Sequence, residues 1–254
     1  MNDYFKYKFD EDIEFSLKEG DFVSIIGNNN DLLVHTLLHG NKKANIFLGD
    51  IELNKINFGK VRRRMNYVLY RDLDIFVAET VMDEVAFGLE SLAMGKNDIK
   101  ENIESMAKTF KLTSLLDKDP NSLGCSDKIK MKIMSSLIIK PKILVIDNII
   151  SLLDYKDKIL VFDILKEYVK NGGIVINFTN DIEETMFGEK IIIIYDKKLV
   201  CEGKTLSVLN EEKILKRLGL GLPFIVELNK YLMDYKLIDK YYLTNKKLVG
   251  AIWK

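Results

Sequence analysis

One run constrains the fold more than any other. Asp21-Phe22-Val23-Ser24-Ile25-Ile26-Gly27 is apolar almost throughout, stops at a Gly-Asn-Asn-Asn loop and enters an apolar stretch of helical length, Leu32 to Leu38. A strand that is apolar on both faces must be covered on both faces, as in a parallel sheet flanked by other layers. The pattern returns at Ile143-Leu144-Val145-Ile146-Asp147, at Ile174 to Phe178 and at Lys190 to Tyr195. Between the first two of these, Lys156 to Val169 carries apolar residues at three- and four-residue steps, which predicts a helix. Strands alternating with helices imply crossover connections and an α/β core.

Around this frame lie three other regions. Tyr4 to Phe9 and Ile13 to Leu17 read as short opening strands. A mostly helical insert, about 72–138, separates the loop-bearing unit from Ile143. Within it Thr80 to Leu92 is a predicted helix with Thr80 as N-cap and Asp83 three residues on, a capping-box-like start. Asp98 to Phe110 is another, with Asp98 as its cap. From Glu211 onward the chain reads as helical and amphipathic, and 205–220 is the one plausible boundary.

Composition removes several function classes. The chain has 254 residues, 47% hydrophobic and 30% charged, with formal net charge zero. A neutral chain gives no electrostatic reason to expect nucleic acid. No secretory leader is evident at Met1-Asn2-Asp3-Tyr4. The longest uninterrupted apolar run, Ile191 to Ile194, falls far short of the roughly 18 residues a membrane span needs. A cytoplasmic setting is expected. Cys125 and Cys201 lie far apart and form no ligand or redox motif. His35 and His39 stand four apart, a metal-like spacing, but lack a third ligand nearby in sequence, so no metal site is expected. Arg62-Arg63-Arg64 reads as a solvated face.

Specific residues then point to a family. Thr80-Val81-Met82-Asp83-Glu84-Val85-Ala86-Phe87-Gly88-Leu89-Glu90 resembles the segment T-V-x-x-D-V-A-F-G-x-E of ATPases from energy-coupling-factor (ECF) importers, a branch of the ABC ATPases. Lys140-Pro141-Lys142-Ile143-Leu144-Val145-Ile146-Asp147 resembles the family's approach to its Walker B aspartate, and Leu153-Asp154 resembles the D-loop that follows. Gly219 to Phe224 and Leu248 to Trp253 are similar to the small terminal domain of one ECF ATPase subtype. The resemblance spans essentially the whole chain. It implies a P-loop NTPase core of ABC type over 1–210, with an N-terminal antiparallel β subdomain and the helical insert, and a small helical domain over 211–254.

The resemblance also locates what is missing. A P-loop works because glycines let backbone N–H groups wrap phosphates, a lysine reaches the β and γ oxygens, and a hydroxyl holds Mg²⁺. In that register Gly27 is the first glycine and Asn28, Asn29, Asn30 and Asp31 follow. Leu32 takes the second glycine's place, Leu33 the lysine's and Val34 the hydroxyl's. Removing a single well-placed donor at a charged centre costs about 3 kcal/mol, and here several are gone together. The Q-loop glutamine falls on Tyr70, and the signature becomes Leu123-Gly124-Cys125-Ser126-Asp127. Asp147 is retained, but the general-base glutamate is Asn148, whose amide cannot accept a proton at neutral pH. The switch histidine falls on Asn180. Tyr7 lies near the place of an adenine-stacking aromatic.

By this resemblance ATP and Mg²⁺ would be the cofactors, bound poorly. The partners would be a second ABC ATPase subunit, a heterodimer being expected, and a transmembrane ECF component docked on Phe76, Thr80, Glu84 and Phe87 at the inner face of the membrane. The function implied is that of a catalytically degenerate subunit of a vitamin or metal-ion importer. A divergent, slowly hydrolysing ATPase and a soluble scaffold protein are the alternatives. Asp31 and Asp127 stand near the ends of two helices that would face phosphate, and are expected to satisfy free N–H groups there.

Overall fold

The computed structural model describes residues 3–90, 92 and 94–253. In chain order its strands are β1 (Phe5–Phe9), β2 (Ile13–Leu17), β3 (Phe22–Gly27), β4 (Ala44–Leu48), β5 (Ile51–Glu52), β6 (Met65–Leu69), β7 (Ile143–Asp147), β8 (Ile174–Phe178), β9 (Lys190–Tyr195) and β10 (Lys198–Lys204). The α-helices are α1 (Asn30–His39), α2 (Phe58–Arg62), α3 (Val81–Glu90), α4 (Lys96–Phe110), α5 (Cys125–Ile138), α6 (Tyr155–Lys170), α7 (Thr205–Leu209), α8 (Glu212–Arg217), α9 (Phe224–Asp234) and α10 (Asn245–Ile252).

The strands form two sheets. One is antiparallel, in the order β2-β1-β4-β5; the other runs β10-β9-β3-β8-β7-β6. In the second sheet β6, β7, β8, β3 and β9 are mutually parallel, and only β10 turns back antiparallel on β9. Side-chain alternation along β3 and β8 explains the layers. Val23, Ile25, Ile174, Ile176 and Phe178 face the antiparallel sheet and α1, where Tyr7, Phe15 and Leu37 complete one core cluster. Phe22 and Val175 face the opposite way, into a cluster built by α3, α4, α5 and α6 around Phe110, Met134 and Phe162. Ile26, Ile191 and Ile193 meet Val208, Leu209, Leu215 and Val226 in a third cluster, so α7, α8 and α9 share a core with the end of the parallel sheet.

All the long buried strands expected from sequence are present. Four others, β4, β5, β6 and β10, were not expected. Ala44–Leu48 and Met65–Leu69 mix polar and apolar residues over five positions each, and so short a run has no decisive period. The α4 expectation needs a correction: Gly95 is the N-cap, and Asp98 lies in the first turn. Thr80 does behave as expected, since the Asp83 N–H donates to its hydroxyl at 3.1 Å and that hydroxyl donates to the Asp83 carboxylate at 2.6 Å. The C-terminal region is helical but interrupted between Leu218 and Pro223, where two glycines and a proline interrupt the helix. No helix of the described residues is long and apolar enough to cross a membrane.

Candidate functional site

In a parallel sheet the loops at the carboxyl ends of the strands gather at one edge, where ligands of such folds bind. The register does this here. Leu69 at the end of β6 pairs with Asp147 at the end of β7, Asp147 with Phe178 at the end of β8, Ile25 of β3 with Phe178, and Gly27 with Ile194. Tyr70, Asn148, Asn180 and the Gly27 loop therefore emerge side by side, although they are far apart in sequence. Tyr70, Asn148 and Asn180, with Ser151 and Asp181, line an open cleft of about 610 Å³. The structure thus brings three of the sequence-picked positions into one site.

The polar groups of this edge are a phenol, a hydroxyl, amides and carboxylates, with one guanidinium nearby. Asn148 adopts a left-handed backbone (φ 50°), its N–H donates to the Phe178 carbonyl at 2.9 Å, and its side-chain amide donates to Asp147 Oδ1 at 3.1 Å. Burial pushes the Asp147 carboxyl above its ordinary range; the Asn148 hydrogen bond opposes this, and the nearby negative charge of Asp31 adds to it. Arg71, one residue beyond the Tyr70 position, is the cation that acts on Asp147. No sequence motif marks Arg71. Tyr70 itself is 58% exposed and offers a free aromatic face.

The loop after β3 is built differently from a phosphate cradle. Gly27 has φ 140°, and a Cβ there would lie 1.7 Å from the Ile194 carbonyl oxygen. Asn28 and Asn29 hydrogen-bond to the turn between β9 and β10. Asn30 is buried, donates weakly to the Thr179 carbonyl at 3.4 Å, and leaves its Oδ1 without a partner. Leu33 and Val34 are core residues of the cluster under the antiparallel sheet, and Leu32 packs against it. The leucine and valine that stand where a cation and a hydroxyl were looked for thus face the interior.

Two expectations are corrected. Tyr7 is completely buried with its ring stacked on Phe15 at 5.0 Å, and burial pushes its phenol up to about 12. It has no open face for a base. Neither Asp31 nor Asp127 caps its helix: α1 has Asn29 and α5 has Gly124 as N-cap, both without a side-chain cap bond. Asp31 is exposed in the first turn of α1.

Asp127 instead pairs with Lys130 at 2.9 Å, and Lys130 pairs equally closely with Asp157 of α6. Burial alone would lower the Lys130 pKa, but hydrogen bonds to the two aspartates overcome it and hold it raised. Alongside, the Asp154 N–H donates to Ser126 Oγ at 3.1 Å, and Asp154 caps α6 through the Asp157 N–H. Leu123, Gly124, Cys125, Ser126 and Asp127 therefore cluster with Asp154 at the junction of α5 and α6. None of these residues lines the Tyr70 cleft.

The α3 region presents a second surface. Glu84 points inward, accepting from the backbone N–H groups of Val77 and Ala78 at 2.9 and 3.1 Å and pairing with Lys132 at 3.2 Å. Lys132 also sits 4.4 Å from the Phe76 ring centroid. Pinned in this way, the segment before α3 turns Ile75 and Val77 outward, 58% and 72% exposed, with Phe87 of α3 at 66%. Of Phe76, Thr80, Glu84 and Phe87, only Phe87 is an open apolar contact; Glu84 is scaffolding. Elsewhere, His35 and His39 lie ring to ring at 4.7 Å, and no group able to hold a metal ion occurs among the described residues.

No protein-family model matches the chain. Among curated proteins it is similar to the energy-coupling factor transporter ATP-binding protein EcfA1 of Mycoplasma pneumoniae, 28% identical over 260 residues, covering 99% of this chain and 94% of that one. It is similar also to EcfA1 of Mycoplasmopsis synoviae, 27% identical over 228 residues, covering 87% and 85%. Among solved structures it superimposes on cbiO1 from Clostridium perfringens, part of an ABC transporter complex, with TM-score 0.73 at 20% identity, covering 91% of this chain and all of that one. A dimeric bacterial ABC transporter cassette gives TM-score 0.72 at 22% identity over 79% of this chain. The fold is that of an ABC ATPase cassette, an α/β P-loop NTPase architecture.

Proposed function

We propose that this chain is the cassette subunit of an ECF-type importer, working as a pseudo-ATPase that keeps the docking surface and has lost the chemistry. The observation that carries the reading is the Tyr70 cleft. It sits where the strand ends converge, yet its lining groups are a phenol, two amides, a hydroxyl and one carboxylate. The residues do not fit a magnesium triphosphate. The loop supplies no cation from Gly27 to Val34, and Asp31 lies close enough to Asp147 to disfavour its ionisation. No lysine or arginine is among the residues that line the cleft. Asn148 cannot take a proton from water.

Docking of a transmembrane component falls to the exposed apolar residues Ile75, Val77 and Phe87. The second partner is a competent cassette, in a heterodimer at the inner face of the membrane. Residues 1–210 form the cassette and 211–254 its terminal helical unit. The solute, a vitamin or a metal ion, is selected by another subunit. Retained Asp147 is the one feature that favours slow hydrolysis instead.

Titration calorimetry with Mg-ATP tests the reading, on the chain alone and mixed with an intact ECF cassette from the same source. No heat from the chain alone up to millimolar nucleotide is the expected result. Micromolar binding by the chain alone overturns the pseudo-ATPase reading in favour of the divergent enzyme.

A further inference from the structure

We propose that Asn28 and Asn29 form a latch with the turn between β9 and β10, and that this latch orders the loop after β3 without any ligand. The proposal rests on geometry alone and stands whether or not the cassette reading does. Asp196 and Lys197 are the two central residues of that hairpin turn, and both have positive φ, 50° and 61°. Two left-handed residues in a two-residue hairpin define a type I′ turn, which normally requires Asn, Asp or Gly. Lysine gains nothing from that conformation, because its Cβ crowds the following carbonyl and its side chain offers no local hydrogen bond. Such a residue persists only where its surroundings over-determine it.

The surroundings here are two asparagines 168 positions away in sequence. Asn28 Oδ1 accepts from the Asp196 N–H at 2.9 Å, and Asn28 Nδ2 donates to Asp196 Oδ1 at 2.8 Å. Asn29 Oδ1 accepts from the Lys197 N–H at 2.6 Å. Each left-handed residue thus has its backbone donor held by its own asparagine. Gly27 makes the approach possible, since any Cβ at that position would run into the Ile194 carbonyl just before the turn. Loop and turn are each other's ligand. A phosphate-binding loop is ordered by an anion drawn to its amides. This loop is ordered by side-chain amides bound to backbone, and the asparagine groups used in this way are not free for another ligand.

Hydrogen exchange on the full chain, with no nucleotide present, tests the latch. Wild-type protein should show protected amides in both 27–31 and 195–198. The N28A/N29A variant should exchange about tenfold faster in both segments together, with β7 unchanged. N45A, on the exposed side of β4, should match wild type. Lys197→Gly removes the left-handed penalty and should slow exchange in the turn and lessen the effect of N29A, which also keeps the test open if the double alanine variant folds poorly. Wild-type exchange rates in N28A/N29A, or loosening confined to one of the two segments, would overturn the latch.

Discussion

The loop after β3 and the segment before α3 have been treated in opposite ways. Both are short connections held by side chains that bind backbone N–H groups: Asn28 and Asn29 in the first, Glu84 in the second. In the loop, that support closes the structure on itself and sends Leu33 and Val34 into the core. In the segment, it leaves Ile75 and Val77 open to solvent, as Phe87 of α3 is. The difference teaches that the same kind of side-chain support can close one connection on the core and hold another with its apolar residues open to solvent.

The sharpest way to break the comparison is Gly27→Ala. The new methyl group would meet the Ile194 carbonyl at a φ that L residues avoid, so we expect a loss of about 3–5 kcal/mol in urea denaturation. A loss under about 1 kcal/mol would mean that loop and sheet edge are not tightly joined. Next is Glu84→Ala, which leaves two backbone donors and Lys132 without their carboxylate. About 2 kcal/mol should be lost, and proteolysis should begin near residues 75–78. Unaltered cleavage there would show that the segment is held by something else.

Phe87→Asp should change stability by no more than about 0.5 kcal/mol, being exposed, yet should abolish co-purification with a transmembrane component. Retained co-purification would move docking off α3. The smallest effect concerns pH. Burial holds Asp147 and Glu184 above their ordinary values, Glu184 despite hydrogen bonds from Thr179 and Asn177 and the nearby charge of Lys158. A raised folded pKa means these groups stabilise fully below their unfolded values and lose that contribution as pH rises through the folded ones. Asp147→Asn should therefore raise the melting temperature by a few degrees near neutral pH and flatten its fall from mildly acidic pH upward. A lower melting temperature in that variant would show that the ionised carboxylate is stabilising.

How much of this could be read from the chain follows from the range of the interactions. The strands β3, β7, β8 and β9 announce themselves because each is apolar on both faces, a local property. Their convergence on Tyr70, Asn148 and Asn180 was legible through the family resemblance and through the rule that strand ends gather. The helix caps were only half legible: Thr80 behaves as a local pattern predicts, whereas Asp127 is drawn off its helix end by Lys130 and, through it, by Asp157 of another helix. Tyr7 misled because an opening strand can show an aromatic without revealing which face is covered. The Asn28–Asp196 contact spans 168 positions, and Tyr195-Asp196-Lys197-Lys198 carries no glycine to announce a tight turn. Nothing in a one-dimensional pattern joins them.

Lys130 has a mechanical consequence. Its ammonium is clamped between Asp127 at the start of α5 and Asp157 at the start of α6, and Ser126 and Asp154 add a hydrogen bond beside it. Two helices joined in this way are pinned to each other at their starts. Glu84 and Lys132 tie the α3 segment to the same α5. The segment that carries Ile75 and Val77 is thereby joined through α5 to α6 by ion pairs and hydrogen bonds alone.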